Sequence, residues 1–196
     1  MQKKESRVIG LTGGIATGKT TFSKILLEEG ANIISADEVG RKILSMGSPA
    51  YNEITEHFGM GIVDDDGEIK RPCLAKIIFE NPEARTRVNK VTHRRMLSSI
   101  IDDITELRKK CVKCIVVEAA VLFEMGLRPW VDEVWVTATS AKTQVNRLME
   151  RDGLSLEHAK LRIHSQMSTG EFIKLADRVI WTDRKSEDSP YLVLTW

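Results

Sequence analysis

Cysteine is scarce in this chain. Only Cys73, Cys111 and Cys114 occur among 196 residues, and so low and odd a count argues against a disulfide-held extracellular fold. Cys111-Val112-Lys113-Cys114 has C-x-x-C spacing, but no second pair and no suitably spaced histidine accompanies it. His57, His93, His158 and His164 show no metal-ligand spacing among themselves. An excess of one charge is missing too. The 29 Lys+Arg and 28 Asp+Glu leave a net charge of +1, which supplies no field for nucleic acid or a membrane surface. No apolar run approaches the length of a bilayer span, and the first six residues carry no apolar leader stretch. Internal repeats and low-complexity segments are absent. These absences set the expectation of a cytoplasmic protein of one domain, with no nucleic-acid or membrane partner. Nothing in them fixes an oligomeric state, and a monomer is the default.

What is present begins at residue 7. Arg7-Val8-Ile9-Gly10-Leu11-Thr12 reads as a buried strand, and Gly13-Gly14-Ile15-Ala16-Thr17-Gly18-Lys19-Thr20 fits G-x-x-x-x-G-K-[ST], the P-loop pattern. Thr21 to Glu29 has helical periodicity. Glycines let successive backbone N–H groups curl around one anion, and the following helix points its positive dipole end at the same place. Gly13 through Thr21 is thus expected to cradle the phosphates of a nucleoside triphosphate such as ATP. Lys19 would reach the outer phosphates and the Thr20 hydroxyl would ligate Mg²⁺.

The rest of the chain alternates strands with helices, the pattern of an α/β domain with a parallel sheet. Asn32–Ser35, Lys113–Glu118, Glu133–Thr137 and Ala176–Trp181 read as the further strands, and helices are expected over 36–44, 50–58, 141–151 and from Ser155. Asp64-Asp65-Asp66-Gly67 reads as a solvated turn, since an EF-hand loop would need a Glu at its twelfth position. From Pro72 to Lys110 the apolar residues recur at helical spacing, broken at Asn81-Pro82. That makes an all-helical insertion between the second and third strands, about 48–110, within a core of about 7–47 and 112–181. Helical insertions in P-loop folds commonly hold the second substrate.

Phosphoryl transfer needs a cradle, a metal, cations for the migrating charge and a group to deprotonate the acceptor. Asp37 lies just past the second strand, where ligands gather in parallel sheets; it suits a general base and equally a helix N-cap. Glu118 ends the third strand, either beside Mg²⁺ or facing solvent. Arg147 and Arg151 share a helix face and Arg162 follows on the next helix. They form either a lid over phosphates, about 147–170, or an ordinary solvated surface.

The ordered set of motifs resembles the dephospho-CoA kinase family. The resemblance rests on Ile9 to Ile15 with Gly18-Lys19-Thr20, Ser35-Ala36-Asp37-Glu38-Val39-Gly40-Arg41, Gly47-Ser48-Pro49-Ala50, Phe58-Gly59, Asp66-Gly67 with Arg71, and Glu118-Ala119-Ala120-Val121-Leu122-Phe123-Glu124. Arg151-Asp152-Gly153-Leu154-Ser155, Arg162-Ile163 and Gln166-Met167-Ser168 complete it. It covers about residues 7–181 and implies a P-loop NTPase-type parallel sheet flanked by helices, with a helical acceptor-binding insertion and a helical lid. It also implies ATP- and Mg²⁺-dependent phosphorylation of the ribose 3′-hydroxyl of dephospho-CoA. Asp37 becomes the base, with Lys19 and Arg147 acting on the transferred group. Arg41, His93, Leu122, Phe123 and Glu124 would lie toward the acceptor, Thr20 and Glu118 toward the metal, and Arg147, Arg151 and Arg162 on the nucleotide. The chain departs from the family pattern at Ser35, Arg94, Glu118 and Ala120, and after Trp181, where Thr182-Asp183-Arg184 replaces an Asn-x-Gly; the tail, 182–196, is unassigned. The alternatives are another small-molecule P-loop kinase, of nucleoside or nucleotide type, or a nucleotide-binding protein without transferase activity.

Overall fold

In the computed structural model, which describes residues 6–183, β1 (Arg7–Thr12) is the middle strand of a five-stranded sheet. The other strands are β2 (Asn32–Ser35), β3 (Cys114–Glu118), β4 (Glu133–Ala138) and β5 (Arg178–Trp181), and the order across the sheet is β2-β3-β1-β4-β5. β1 runs parallel to β3, with Leu11 level with Glu118, and parallel to β4, with Thr12 level with Val136. β5 runs parallel to β4. Eight helices accompany the strands among the described residues: α1 (Lys19–Glu28), α2 (Ala36–Ile43), α3 (Pro49–Phe58), α4 (Arg71–Glu80), α5 (Pro82–Lys109), α6 (Ala141–Asp152), α7 (Leu156–His164) and α8 (Thr169–Leu175). None is long and apolar enough to cross a membrane.

The chain divides into two compact units. The first holds the described residues up to Ile34 and from Ile104 on; the second is Ser35–Asp103. The first is built on the sheet. Ile115, Val116 and Val117 are fully buried, as the unbroken apolar run of β3 demands of a strand covered on both faces. Ile9, Leu11, Leu26, Ala31, Cys114, Val116 and Trp135 form one cluster, with Phe22 of α1 lying 6.3 Å from the Trp135 ring. The Trp135 indole is fully buried yet not orphaned, because its Nε1 donates to Glu133 Oε2 at 2.7 Å. Arg7 pairs with the same carboxylate, and Arg178 lies 3.4 Å from it and 5.4 Å over the indole ring. Burial pushes the Glu133 carboxyl up, but the Trp135 N–H, Arg7 and Arg178 outweigh it and hold the group below the usual glutamate value. Cys114 sits in the core with its thiol pushed up to about 11 by burial, while Cys111 is exposed at a positive φ of 57°. The two thiols therefore serve as a core residue and a turn residue.

The second unit has its own core of Ala50, Tyr51, Ile54, Ile62, Val63, Ile69, Leu74, Val88 and Val91. It is not all-helical. Val63 and Ile69 form an antiparallel bridge around the acidic turn, whose Asp64 Oδ1 accepts the N–H groups of Asp66 (3.1 Å) and Glu68 (2.8 Å). Tyr51 donates its hydroxyl to Gly67 O at 2.7 Å and ties the turn to α3. The expected break at Asn81-Pro82 is a cap: Asn81 Oδ1 accepts from Glu83 N and Ala84 N. Ser35 and α2 belong to this unit, so its first residue lies earlier than the 48 expected for the insertion.

Other boundaries also differ. α1 begins at Lys19, two residues before its expected start, because Gly18 turns straight into the helix. β5 begins at Arg178 and not at Ala176, since Asp177 spends its carboxylate on Val134 N (2.7 Å) and Arg128 (3.2 Å). α8 was not expected at all. Its signature was present, a capping box in which Ser168 and Glu171 exchange hydrogen bonds, but the run is short and contains Gly170. The tail beyond Asp183 lies outside the described residues.

Candidate active site

The P-loop leaves the end of β1 and closes on α1. Gly13, at φ +148°, has no room for a side chain: a Cβ there would lie 2.5 Å from both the carbonyl and the hydroxyl oxygen of Thr137 on β4. Gly18, at φ +91°, occupies the N-cap position of α1, where no side-chain cap bond is made. Its carbonyl accepts from Phe22 N at 3.0 Å, so the first-turn N–H groups of Lys19, Thr20 and Thr21 are left for a ligand. Such unpartnered first-turn N–H groups are what an anion cradle requires.

Side chains from elsewhere in the same unit fix the loop. Thr17 is buried; its hydroxyl donates to Gly14 O and shares a 2.8 Å hydrogen bond with the Thr137 hydroxyl. Ile15 is held at both ends. Its N–H donates to Gln166 Oε1 at 2.8 Å, and its carbonyl accepts from Gln144 Nε2 at 2.7 Å. Thr182 Oγ1 donates to Thr17 O at 2.7 Å. Ile15 therefore gives its N–H to a side chain in this structure and not to the cradle.

The metal expectation joined Thr20 and Glu118, and these two meet. Thr20 Oγ1 donates to Glu118 Oε1 at 2.8 Å, and Lys19 Nζ lies 4.0 Å from the same oxygen. The β1–β3 register explains it, since Glu118 is level with Leu11 at the strand ends from which the P-loop departs. A hydroxyl and a carboxylate are hard oxygen donors, the chemistry a small divalent cation such as Mg²⁺ takes. No cluster of three or more His, Cys, Asp or Glu side chains with metal-site geometry exists among the described residues.

The stretch expected as a lid, about 147–170, falls on the second half of α6, on α7 and on the start of α8, with Gly153 in the left-handed region between the first two. Its three arginines are all engaged. Arg147 donates through Nη1 and Nη2 to Thr182 Oγ1 and Thr182 O, each at 2.9 Å. Arg151 donates to both oxygens of Asp152 at 2.7 and 3.0 Å, and Arg162 reaches Asp152 Oδ2 at 2.9 Å. The hydrogen bond from Arg151, with the charges of Arg151 and Arg162, lowers the Asp152 carboxyl below its ordinary range. Asp183 is likewise lowered, first by the backbone N–H of Ser140, which donates to it at 2.7 Å and fastens the start of α6.

The acceptor residues divide. Asp37 and Arg41 stand one turn apart on α2, both exposed. Ser35 caps this helix, its hydroxyl accepting from Glu38 N at 3.3 Å, so the capping role that Asp37 was equally suited to is already filled. Gly40 lets α2 lie close to α5: a Cβ there would be 3.2 Å from Met96 Cε. His93 is three residues before Met96 on α5 and half-buried. The Leu122 side chain is fully buried, with Cδ1 only 2.5 Å from where a Cβ of Gly10 would be, so it packs against β1. Phe123 is half-buried, 6.3 Å from the Phe172 ring of α8, and Glu124 is exposed.

The sequence reading missed Thr137, Gln144 and Thr182 as site residues. Gln144 alone carried a signal, as a polar residue at a core-facing position of α6, where it is 4% exposed.

Comparisons with known proteins agree with this geometry. A family model described as dephospho-CoA kinase matches residues 7–188. The dephospho-CoA kinase of Carboxydothermus hydrogenoformans is 43% identical over 188 residues, covering 96% of this chain and 91% of its own. Among solved structures, dephospho-CoA kinase from Campylobacter jejuni superposes with a TM-score of 0.68 at 32% identity, over 92% of this chain and 90% of that one. A crystal structure from Thermus thermophilus gives a TM-score of 0.80 at 26% identity, over 94% and 93%. A P-loop on a parallel sheet, an arginine-bearing pair of helices behind it and matches along nearly the whole chain have one common explanation: this chain belongs to the dephospho-CoA kinase family.

Proposed function

We propose that the chain transfers the terminal phosphoryl group of ATP to the ribose 3′-hydroxyl of dephospho-CoA, giving coenzyme A and ADP. The observation that carries this reading is the P-loop with Lys19, Thr20 and Glu118 gathered at its helix end, in a chain of this family. Lys19 and the free N–H groups of the first turn of α1 bind the phosphates. Thr20 and Glu118 would hold Mg²⁺, whose charge would offset that of the phosphates. Arg147, Arg151 and Arg162 serve the nucleotide's side of the reaction, where guanidinium forks match phosphate oxygens.

Asp37 takes the proton from the acceptor hydroxyl as it attacks. Two observations support the assignment: it follows β2 by two residues, and Ser35 performs the capping that would otherwise occupy a carboxylate at this helix start. We assign Arg41, one turn on, and His93 on α5 to the acceptor, and Phe123 and Glu124 likewise; the Leu122 side chain is spent on the core.

The test is ATP consumption with dephospho-CoA beside adenosine, AMP and pantetheine phosphate. Turnover that depends on dephospho-CoA alone is expected. Equal turnover with adenosine or AMP, or none with dephospho-CoA, overturns the reading. Asp37→Asn should keep nucleotide binding and lower kcat by about 100-fold or more, the usual contribution of a positioned base. A variant as fast as the parent removes Asp37 from that role.

A further inference from the structure

Gln166 lies beyond the last turn of α7, exposed at the end of the lid, and accepts the N–H of Ile15 at the crown of the P-loop at 2.8 Å. Gln144, buried on α6, takes the carbonyl of the same residue. A Cβ on Gly14 would sit 3.1 Å from Gln144 Nε2 and 4.0 Å from Gln166 Oε1, so both amides converge on the two peptide groups that flank Ile15. The two bonds are not equivalent. Gln144 acts from the root of α6 and fixes the loop to its own scaffold. Gln166 acts from the segment that ends α7, four residues beyond Arg162. Arg162 in turn donates to Asp152, which also holds Arg151. A continuous line of hydrogen bonds and one helix turn therefore runs from the P-loop backbone to two lid arginines.

We propose that Gln166 is a positioning residue that couples the P-loop to the lid: through the Ile15 N–H it sets where Arg162 and Arg151 stand relative to bound triphosphate. The proposal rests on the reading of the P-loop as a triphosphate site. It gives a role to a residue that touches neither a phosphate-cradling N–H of the α1 first turn nor the metal pair. Holding Ile15 at both ends also restricts the loop before a ligand arrives, which reduces the ordering cost of binding.

The test uses the full chain and a non-hydrolysable ATP analogue with Mg²⁺, followed by calorimetry, so no acceptor is needed. Gln166→Met keeps the side-chain length and removes the acceptor. Because the residue is exposed, the melting temperature should not move. Losing one coupling hydrogen bond is expected to weaken analogue binding about fivefold. In an Arg162→Met background the same change should cost clearly less, because the partner it positions is gone. In steady state the KM for ATP should rise while the KM for dephospho-CoA stays put. Unchanged or tighter analogue binding, or fully additive losses in the double variant, overturns the proposal. Failure of the parent to use dephospho-CoA would instead strike the proposed function, since the binding experiment stands apart from it.

Discussion

Thr20 and Glu118 show how much a single pair decides. Thr20 directs its hydroxyl proton to Glu118, so the pair presents two oxygens on one spot, with Lys19 beside them. Replacing Glu118 by Gln keeps the shape and removes the charge. The expected result is a Mg²⁺ requirement raised about tenfold or more, read from initial rates across a Mg²⁺ titration; an unshifted titration removes Glu118 from the metal. Leu122 makes the opposite case. It sits in a motif run whose resemblance placed it on the acceptor, yet it is a core side chain under Gly10. Leu122→Ala should cost about 2–5 kcal/mol of stability in urea unfolding and leave the KM for dephospho-CoA near the parent value. A large KM effect with unchanged stability would restore the substrate assignment.

At the level of elements, the P-loop is held by β4 through Thr137, by α6 through Gln144 and by Thr182 just past β5. Gly13→Ala places a methyl onto Thr137 at a φ that alanine resists, so β1 and β4 must separate or the loop must move. We expect loss of ATP affinity together with a lower melting temperature; a stable variant with intact affinity contradicts the close approach. The elements themselves were legible. The apolar run of β3, the alternation of strands and helices, and the Asn81-Pro82 break each have a local cause that a sequence displays. α8 was not read, because seven residues with a glycine give a weak periodicity even with a capping box. The P-loop cradle and the Thr20–Glu118 pair were legible as a motif and as a strand end. The clasp on Ile15 was not, since Gln144 and Gln166 are 129 and 151 residues from it and neither spacing nor chemistry links them in the chain. At Asp37 residue type alone left capping open, and in the structure Ser35 caps α2.

For the molecule as a whole, Glu133 is the group that ties sheet stability to pH. It accepts from the buried indole of Trp135 and pairs with Arg7 at the start of β1 and Arg178 at the start of β5. Its carboxyl is held below the ordinary 4.5, so the unfolded chain binds the proton more readily than the folded one. The stabilisation is therefore complete above that value and is lost as pH falls through the lower folded-state value. Urea midpoints of the parent and Glu133→Gln should differ near neutral pH and converge below pH 4.5. A difference that stays constant across that range rules Glu133 out.

The central position of β1 has a consequence for synthesis on the ribosome. The strand and its glycine loop are made before the rest of the sheet, and both of β1's sheet neighbours, β3 and β4, arrive more than a hundred residues later. The groups that hold the loop come later still, ending with Thr182, whose hydroxyl meets Thr17 across a separation of 165 residues. A nascent chain thus carries its nucleotide loop as an unframed segment with two open strand edges until β3, β4 and Thr182 have been made. Of the described elements around the loop, the one made earliest waits longest for its partners.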